Sequence, residues 1–114
     1  EHAAAARVQR ASFETLSDGA PAACDAELRS ALRAGARDLG LGETDLPSGA
    51  GHDAAFMSRI CPSAMVFVPC RAGKSHAPEE WASREAIAAG AAVIYQAVRA
   101  LDRSFAQKQR EAAG

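Results

Sequence analysis

Pro62-Ser63-Ala64-Met65-Val66-Phe67-Val68-Pro69 is the stretch that decides the fold class. Residues 64–68 are a continuous apolar run bounded by prolines. A run of this kind predicts a strand buried on both faces, as in a sheet with helices above and below. Such a strand needs neighbouring strands, and the remaining sequence hardly supplies them. On the N-terminal side, Cys61-Pro62 stops a short helix expected over residues 52–60, because the residue before a proline is pushed out of the helical region. On the C-terminal side, the strand empties into a polar loop over residues 69–80.

Further outward the pattern is helical. Leu28, Leu32, Ala36 and Leu39 recur at helical spacing. Asp25 is placed to cap their first turn, and Gly40 and Gly42 to stop the last. A helix is therefore expected over about residues 25–39. Ser83 or a neighbour opens the longest helix. There Ile87, Ala91, Ile94, Val98, Leu101 and Phe105 alternate steps of four and three and form one apolar stripe. The tail, residues 107–114, is charged and expected to fray. Val8, Phe13 and Leu16 among polar neighbours suggest a strand over residues 7–17, ended by the turn signal Asp18-Gly19-Ala20-Pro21. The order is strand, helix, loop, helix, buried strand, loop, helix, which is part of an α/β sheet.

Composition limits what this sequence can do alone. Aromatic residues are only 5% of the 114, and alanine takes their place. Small side chains bury little area each, so the core is thin and a further surface is needed to complete it. The net charge of −1 comes with scattered Lys and Arg, so nothing supports nucleic-acid binding. The longest apolar stretch, residues 86–98, falls short of the roughly 20 residues of a membrane span. The N-terminus lacks the pattern of a signal peptide. Three cysteines, Cys24, Cys61 and Cys70, give an odd count without CxxC spacing, which fits a reduced cytoplasmic protein. They are expected to be small buried apolar residues.

Two loops can carry chemistry. Ser48-Gly49-Ala50-Gly51 precedes the short helix. Glycines allow close backbone approach, and the free N–H groups at a helix start favour an anion. At the lip of that cradle His52 can donate a hydrogen bond to a substrate carbonyl or to charge developing on it. The alternative is an ordinary glycine-rich turn. Gly73-Lys74-Ser75-His76 follows the buried strand, at the end where ligands bind in α/β sheets. His76, followed by Pro78, Glu79 and Glu80, is a candidate metal ligand with acidic residues nearby. The alternative is a surface histidine, and Lys74 weighs toward it. A catalytic zinc keeps about three protein ligands, so a metal site here is incomplete.

Leu46-Pro47-Ser48-Gly49-Ala50-Gly51-His52-Asp53-Ala54-Ala55, the proline-bounded run 62–69, and Gly73-Lys74-Ser75-His76-Ala77-Pro78-Glu79 together resemble the C-terminal end of the amidase/hydantoinase/carbamoylase group. These are dinuclear-metal amidohydrolases that include N-carbamoyl-L-amino-acid hydrolases and allantoate amidohydrolases. The resemblance covers about residues 7–104. It implies a partial zinc-peptidase-like catalytic domain, with a buried strand and flanking helices over residues 41–106. It also implies that residues 1–40 hold the end of an inserted lid or dimerisation domain and the helix returning from it. By the same resemblance, His76 is a metal ligand, and Ser48, Gly49, Ala50, Gly51 and His52 face the substrate. The cofactor is a divalent metal, zinc or manganese, with two ions in the complete enzyme.

The implied activity is hydrolysis of linear amide or ureido C–N bonds in a small-molecule substrate. The other metal ligands and the acidic general base belong to N-terminal segments of the family, so no complete catalytic set is expected in this chain and it should be inactive alone. Lys74 departs from the family, which more often has an apolar residue there. Two alternatives stay open: a non-catalytic interaction or dimerisation remnant, and a segment of a related dinuclear-metal peptidase or aminoacylase. Self-association, for instance as a homodimer, is expected from the uncovered stripe.

Overall fold

The computed structural model describes residues 12, 14, 15 and 19–114. The strand expected over residues 7–17 and the start of the turn at Asp18 lie outside these, apart from 12, 14 and 15. Three α-helices are present among the described residues: α1 (Ala26–Asp38), α2 (Asp53–Met57) and α3 (Arg84–Ala112). A single 3₁₀ turn spans Arg71–Gly73.

Helix α1 begins where the capping residue dictates. The Asp25 carboxylate accepts a hydrogen bond from the Leu28 N–H at 2.9 Å, satisfying one of the donors left free in the first turn. The chain leaves the helix through Gly40, whose φ of 67° lies in the left-handed region that glycine enters without steric cost. Helix α3 opens in the same way, with the Ser83 hydroxyl accepting from the Ala86 N–H at 3.0 Å.

Helix α3 runs on to Ala112, about 43 Å in all at 1.5 Å per residue. The helix thus takes in residues 107–112 of the tail. The Gln107 amide donates to Glu111 at 2.9 Å, one turn along the helix. The Lys108 ammonium lies 3.2 Å from Glu27 of α1, tying the end of α3 to the start of α1. The two helices run antiparallel and are the only pair of elements in contact among the described residues.

The contact between them uses small residues, and this corrects the expected stripe. The buried positions are Gly35 and Ala36 on α1 and Gly90, Val93 and Ala97 on α3. A Cβ placed on Gly35 would lie 3.0 Å from the Val93 carbonyl oxygen, so the absence of a side chain is what lets the backbones meet. The stripe predicted to be the buried face points elsewhere: Ile87, Ile94, Val98 and Phe105 are each about half exposed, at 47–57%. Gly35 lets α1 come close to Val93 and Ala97, and the larger side chains of the stripe are left outside the contact.

The segment over residues 64–68 is also corrected. Among the described residues there is no strand, only one isolated antiparallel bridge between Cys70 and Ala82. Val66 and Val68 turn toward Gly90 of α3, while Phe67 between them faces out and is 54% exposed. The segment thus keeps the two-residue alternation of a strand but is covered on one face and hydrogen-bonded to no neighbour. Cys61 is exposed rather than buried, whereas Cys24 and Cys70 are half-buried, and all three are free thiols.

Among the described residues no side chain reaches full burial. The radius of gyration is 20.0 Å, against about 13 Å for a compact domain of 100 residues. No helix among the described residues is long and apolar enough to cross a membrane.

Candidate functional site

The loop ahead of α2 is held against α1 by charge. Arg29, Arg33 and Arg37 stand four residues apart on one face of α1. Arg29 reaches Asp45 at 3.2 Å, Arg37 reaches Glu43 at 3.2 Å, and Arg33 contacts both acids. Exposed ion pairs are individually worth about 0–1 kcal/mol, so their contribution is to orient the loop. The signal for this ladder was present in the sequence as arginines at i, i+4 and i+8, facing an acidic pair beyond the helix end.

The next residues fold back on themselves. The Ser48 hydroxyl donates to the Ala50 carbonyl at 2.9 Å, so its proton is already used locally. Gly49 and Gly51 are not in the left-handed region, and a Cβ built on either would meet nothing within 4 Å. Neither glycine is required by a turn or by packing within the described residues. What they leave is open space beside the backbone, into which another group can come close.

His52 is the N-cap of α2. Its Nδ1 accepts from the Ala54 N–H at 3.0 Å. In the neutral ring that contact leaves the proton on Nε2, which is then a donor. His52 therefore has a fixed tautomer with a free N–H. Helix α2 has only five residues, so its dipole adds little and the donor capacity at this loop is chiefly that of His52. Replacing His52 by alanine is expected to cost the cap, about 1 kcal/mol of local stability. His52→Asn should retain it. Amide exchange at residues 54 and 55 checks this, with faster exchange in the alanine variant only.

Ser48, Ala50, Gly51 and His52 line a groove of about 960 Å³ between α1, residues 41–55, residues 63–69 and the first half of α3. Its inner wall is apolar, built from Leu32, Ala36, Leu41, Val66, Val68 and Val93. His76 does not line it.

His76 sits on a separate loop closed at its base. The Arg71 N–H donates to the Trp81 carbonyl at 2.8 Å, beside the Cys70–Ala82 bridge. The Arg71 guanidinium stacks 4.4 Å from the Trp81 ring centre. Within the loop Lys74 pairs with Glu79 at 3.7 Å, so the cation that weighed against a metal at His76 has its own counter-ion. The His76 N–H donates to Glu80 at 2.8 Å. Among the described residues no three His, Cys, Asp or Glu side chains cluster as a metal site would require. His76 offers one donor, and one donor does not hold a catalytic metal.

Residues 2–100 match the model of peptidase family M20/M25/M40. The sequence is 39% identical to an N-carbamoyl-L-amino acid amidohydrolase of Geobacillus stearothermophilus over 89 residues, which are 78% of this chain and 22% of that protein. It is 44% identical to an N-carbamoyl-L-amino-acid amidohydrolase of Paenarthrobacter aurescens, over 64% of this chain and 18% of the relative. A ureidoglycolate hydrolase of Oryza sativa subsp. japonica is 40% identical over 78% of this chain and 18% of its own length. The chain thus spans about a fifth of the length of these curated relatives. Any 89-residue stretch of a 114-residue chain includes residues 26–89, so the match to the Geobacillus protein takes in both loops.

Proposed function

Because the chain belongs to peptidase family M20/M25/M40, we propose that it is the C-terminal part of the catalytic domain of a metal-dependent hydrolase acting on linear amide or ureido C–N bonds. N-Carbamoyl amino acids and allantoate are the substrate types intended. The observation that carries this reading is the likeness to an N-carbamoyl-L-amino acid amidohydrolase and a ureidoglycolate hydrolase across both loops. M20 proteins are generally metal-dependent, and zinc or manganese is the ion proposed.

In this reading the chain brings two pieces to a site completed elsewhere in the polypeptide. His76 is one metal ligand. The Ser48–His52 loop lies against the substrate, with the open backbone at Gly49 and Gly51 leaving room for a carboxylate and the His52 Nε2–H aimed at a carbonyl oxygen or the charge developing on it. The half-exposed stripe of α3 and the uncovered face at Phe67 support a catalytic domain whose other layers come from preceding chain. Residues 1–40 are read as the end of a lid or dimerisation domain and the helix returning from it, and the packing of α1 on α3 supports taking α1 as that helix. The free thiols support a reducing, cytoplasmic setting.

A second reading has the same exposed stripe in its favour: a non-catalytic module that uses Ile87, Ile94, Val98 and Phe105 to bind a second copy. Parallel assays separate the two. The full-length protein loaded with zinc or manganese is expected to hydrolyse N-carbamoyl amino acids or allantoate, and the 114-residue chain to show no turnover. Turnover by the isolated chain at the full-length rate would overturn the two-piece site. A full-length protein inert on every ureido and amide substrate would favour the binding module.

A further inference from the structure

The loop carrying His76 contains a backbone conformation that its sequence does not favour. His76 has φ 55°, in the left-handed region where a side chain crowds its own carbonyl. Such a residue persists only where its surroundings over-determine it. Two parts of the loop do so. At the base, the Arg71–Trp81 hydrogen bond, the Cys70–Ala82 bridge and the stacking of Arg71 on Trp81 close the ends. At the tip, the His76 N–H points at the Glu80 carboxylate, 2.8 Å away, and the Glu80 N–H turns back to the Ala77 carbonyl at 2.9 Å. A hydrogen bond to an ionised acceptor is about twice as strong as a neutral one. Glu79, the adjacent acid, is directed to Lys74 instead.

We propose that Glu80 is the positioning residue for His76: its carboxylate grips the His76 backbone N–H, holds the residue left-handed, and so sets where the imidazole points. Glu80 acts on the main chain, and the ring nitrogens are left free. The proposal rests on the reading that His76 is a metal ligand, because only then does the direction of the ring matter to function.

Crystal structures and zinc titrations of the full-length protein test it with Glu80→Ala, Glu80→Gln and Glu79→Ala. The amide oxygen of the glutamine can still accept from the His76 N–H. Glu80→Ala is expected to move His76 out of the left-handed region and to weaken zinc binding about tenfold. Glu80→Gln and Glu79→Ala should keep the conformation and bind zinc within about twofold of the parent. Should the alanine variant not fold, Glu80→Met fills the same space without an acceptor and takes its place. A left-handed His76 in the variant without an acceptor overturns the proposal, as does a glutamine variant that loses the conformation. A lost conformation with unchanged zinc affinity leaves the positioning in place and removes His76 from the metal site instead.

Discussion

Replacing His76 by alanine in the full-length protein is expected to lower metal content after dialysis and to reduce kcat/KM for N-carbamoyl amino acids by at least about a hundredfold. The magnitude follows from coordination chemistry. Outer groups that merely orient a ligand cost 10–100-fold when removed, so deleting the ligand itself costs more. The fold should survive, because His76 is exposed on a loop whose closure depends on residues 70, 71, 81 and 82. The contrasting variant is His52→Ala. His52 faces the groove rather than the His76 loop, so metal content should stay near normal while turnover falls about a hundredfold, as for loss of a hydrogen-bond donor to developing charge. Metal analysis and steady-state kinetics on both variants check the division of labour. Normal metal content in His76→Ala, or lost metal in His52→Ala, would mean the two histidines have been assigned the wrong way round.

The second large effect concerns the helix crossing. Gly35→Val is expected to destabilise the full-length protein by about 3 kcal/mol. A Cβ at Gly35 would stand 3.0 Å from the Val93 carbonyl oxygen, 3.2 Å from the Gln96 Cβ and 3.5 Å from the Ala97 N. Two of these three atoms are main chain, which cannot rotate away, so α1 must lift off α3. No other pair of elements is in contact among the described residues, so the loss falls on the one helix crossing they contain. At Gly90 the obstacle is the Val68 Cγ1 at 2.6 Å, a β-branched side chain with few alternative rotamers. Gly42→Ala supplies the control: its Cβ would meet nothing within 4 Å, and the change should fall within about 0.5 kcal/mol. Urea unfolding midpoints decide. A Gly35→Val protein as stable as Gly42→Ala would show that α1 and α3 do not depend on this contact.

Several features were legible in the sequence because they depend on near neighbours. The caps at Asp25 and Ser83 and the stop at Gly40 are local hydrogen-bonding and steric preferences, and the structure places each where its chemistry requires. The two loops were singled out by glycines and histidines between periodic segments. Their separation into a groove-lining His52 and a His76 standing apart from the groove was not legible, since it depends on how distant segments pack. The extension of α3 through residue 112 was missed because it draws on Glu27, 81 residues away from Lys108.

The apolar stripe marks the limit most clearly. Periodicity showed that α3 has a bulky face at Ile87, Ile94, Val98 and Phe105, but periodicity counts only apolar residues and is blind to distance of approach. Gly35 and Ala97 carry no such signal, yet they form the contact, because backbones can come close only where side chains are small. By itself the sequence determined the helices, the caps that open α1 and α3, the family and the two candidate loops, all set by local preference or by residue identity. Tertiary structure alone decided which face of α3 is buried, that Val66 and Val68 face α3 while Phe67 does not, and that Glu80 holds the His76 main chain. Each of these is a matter of which surfaces can physically meet.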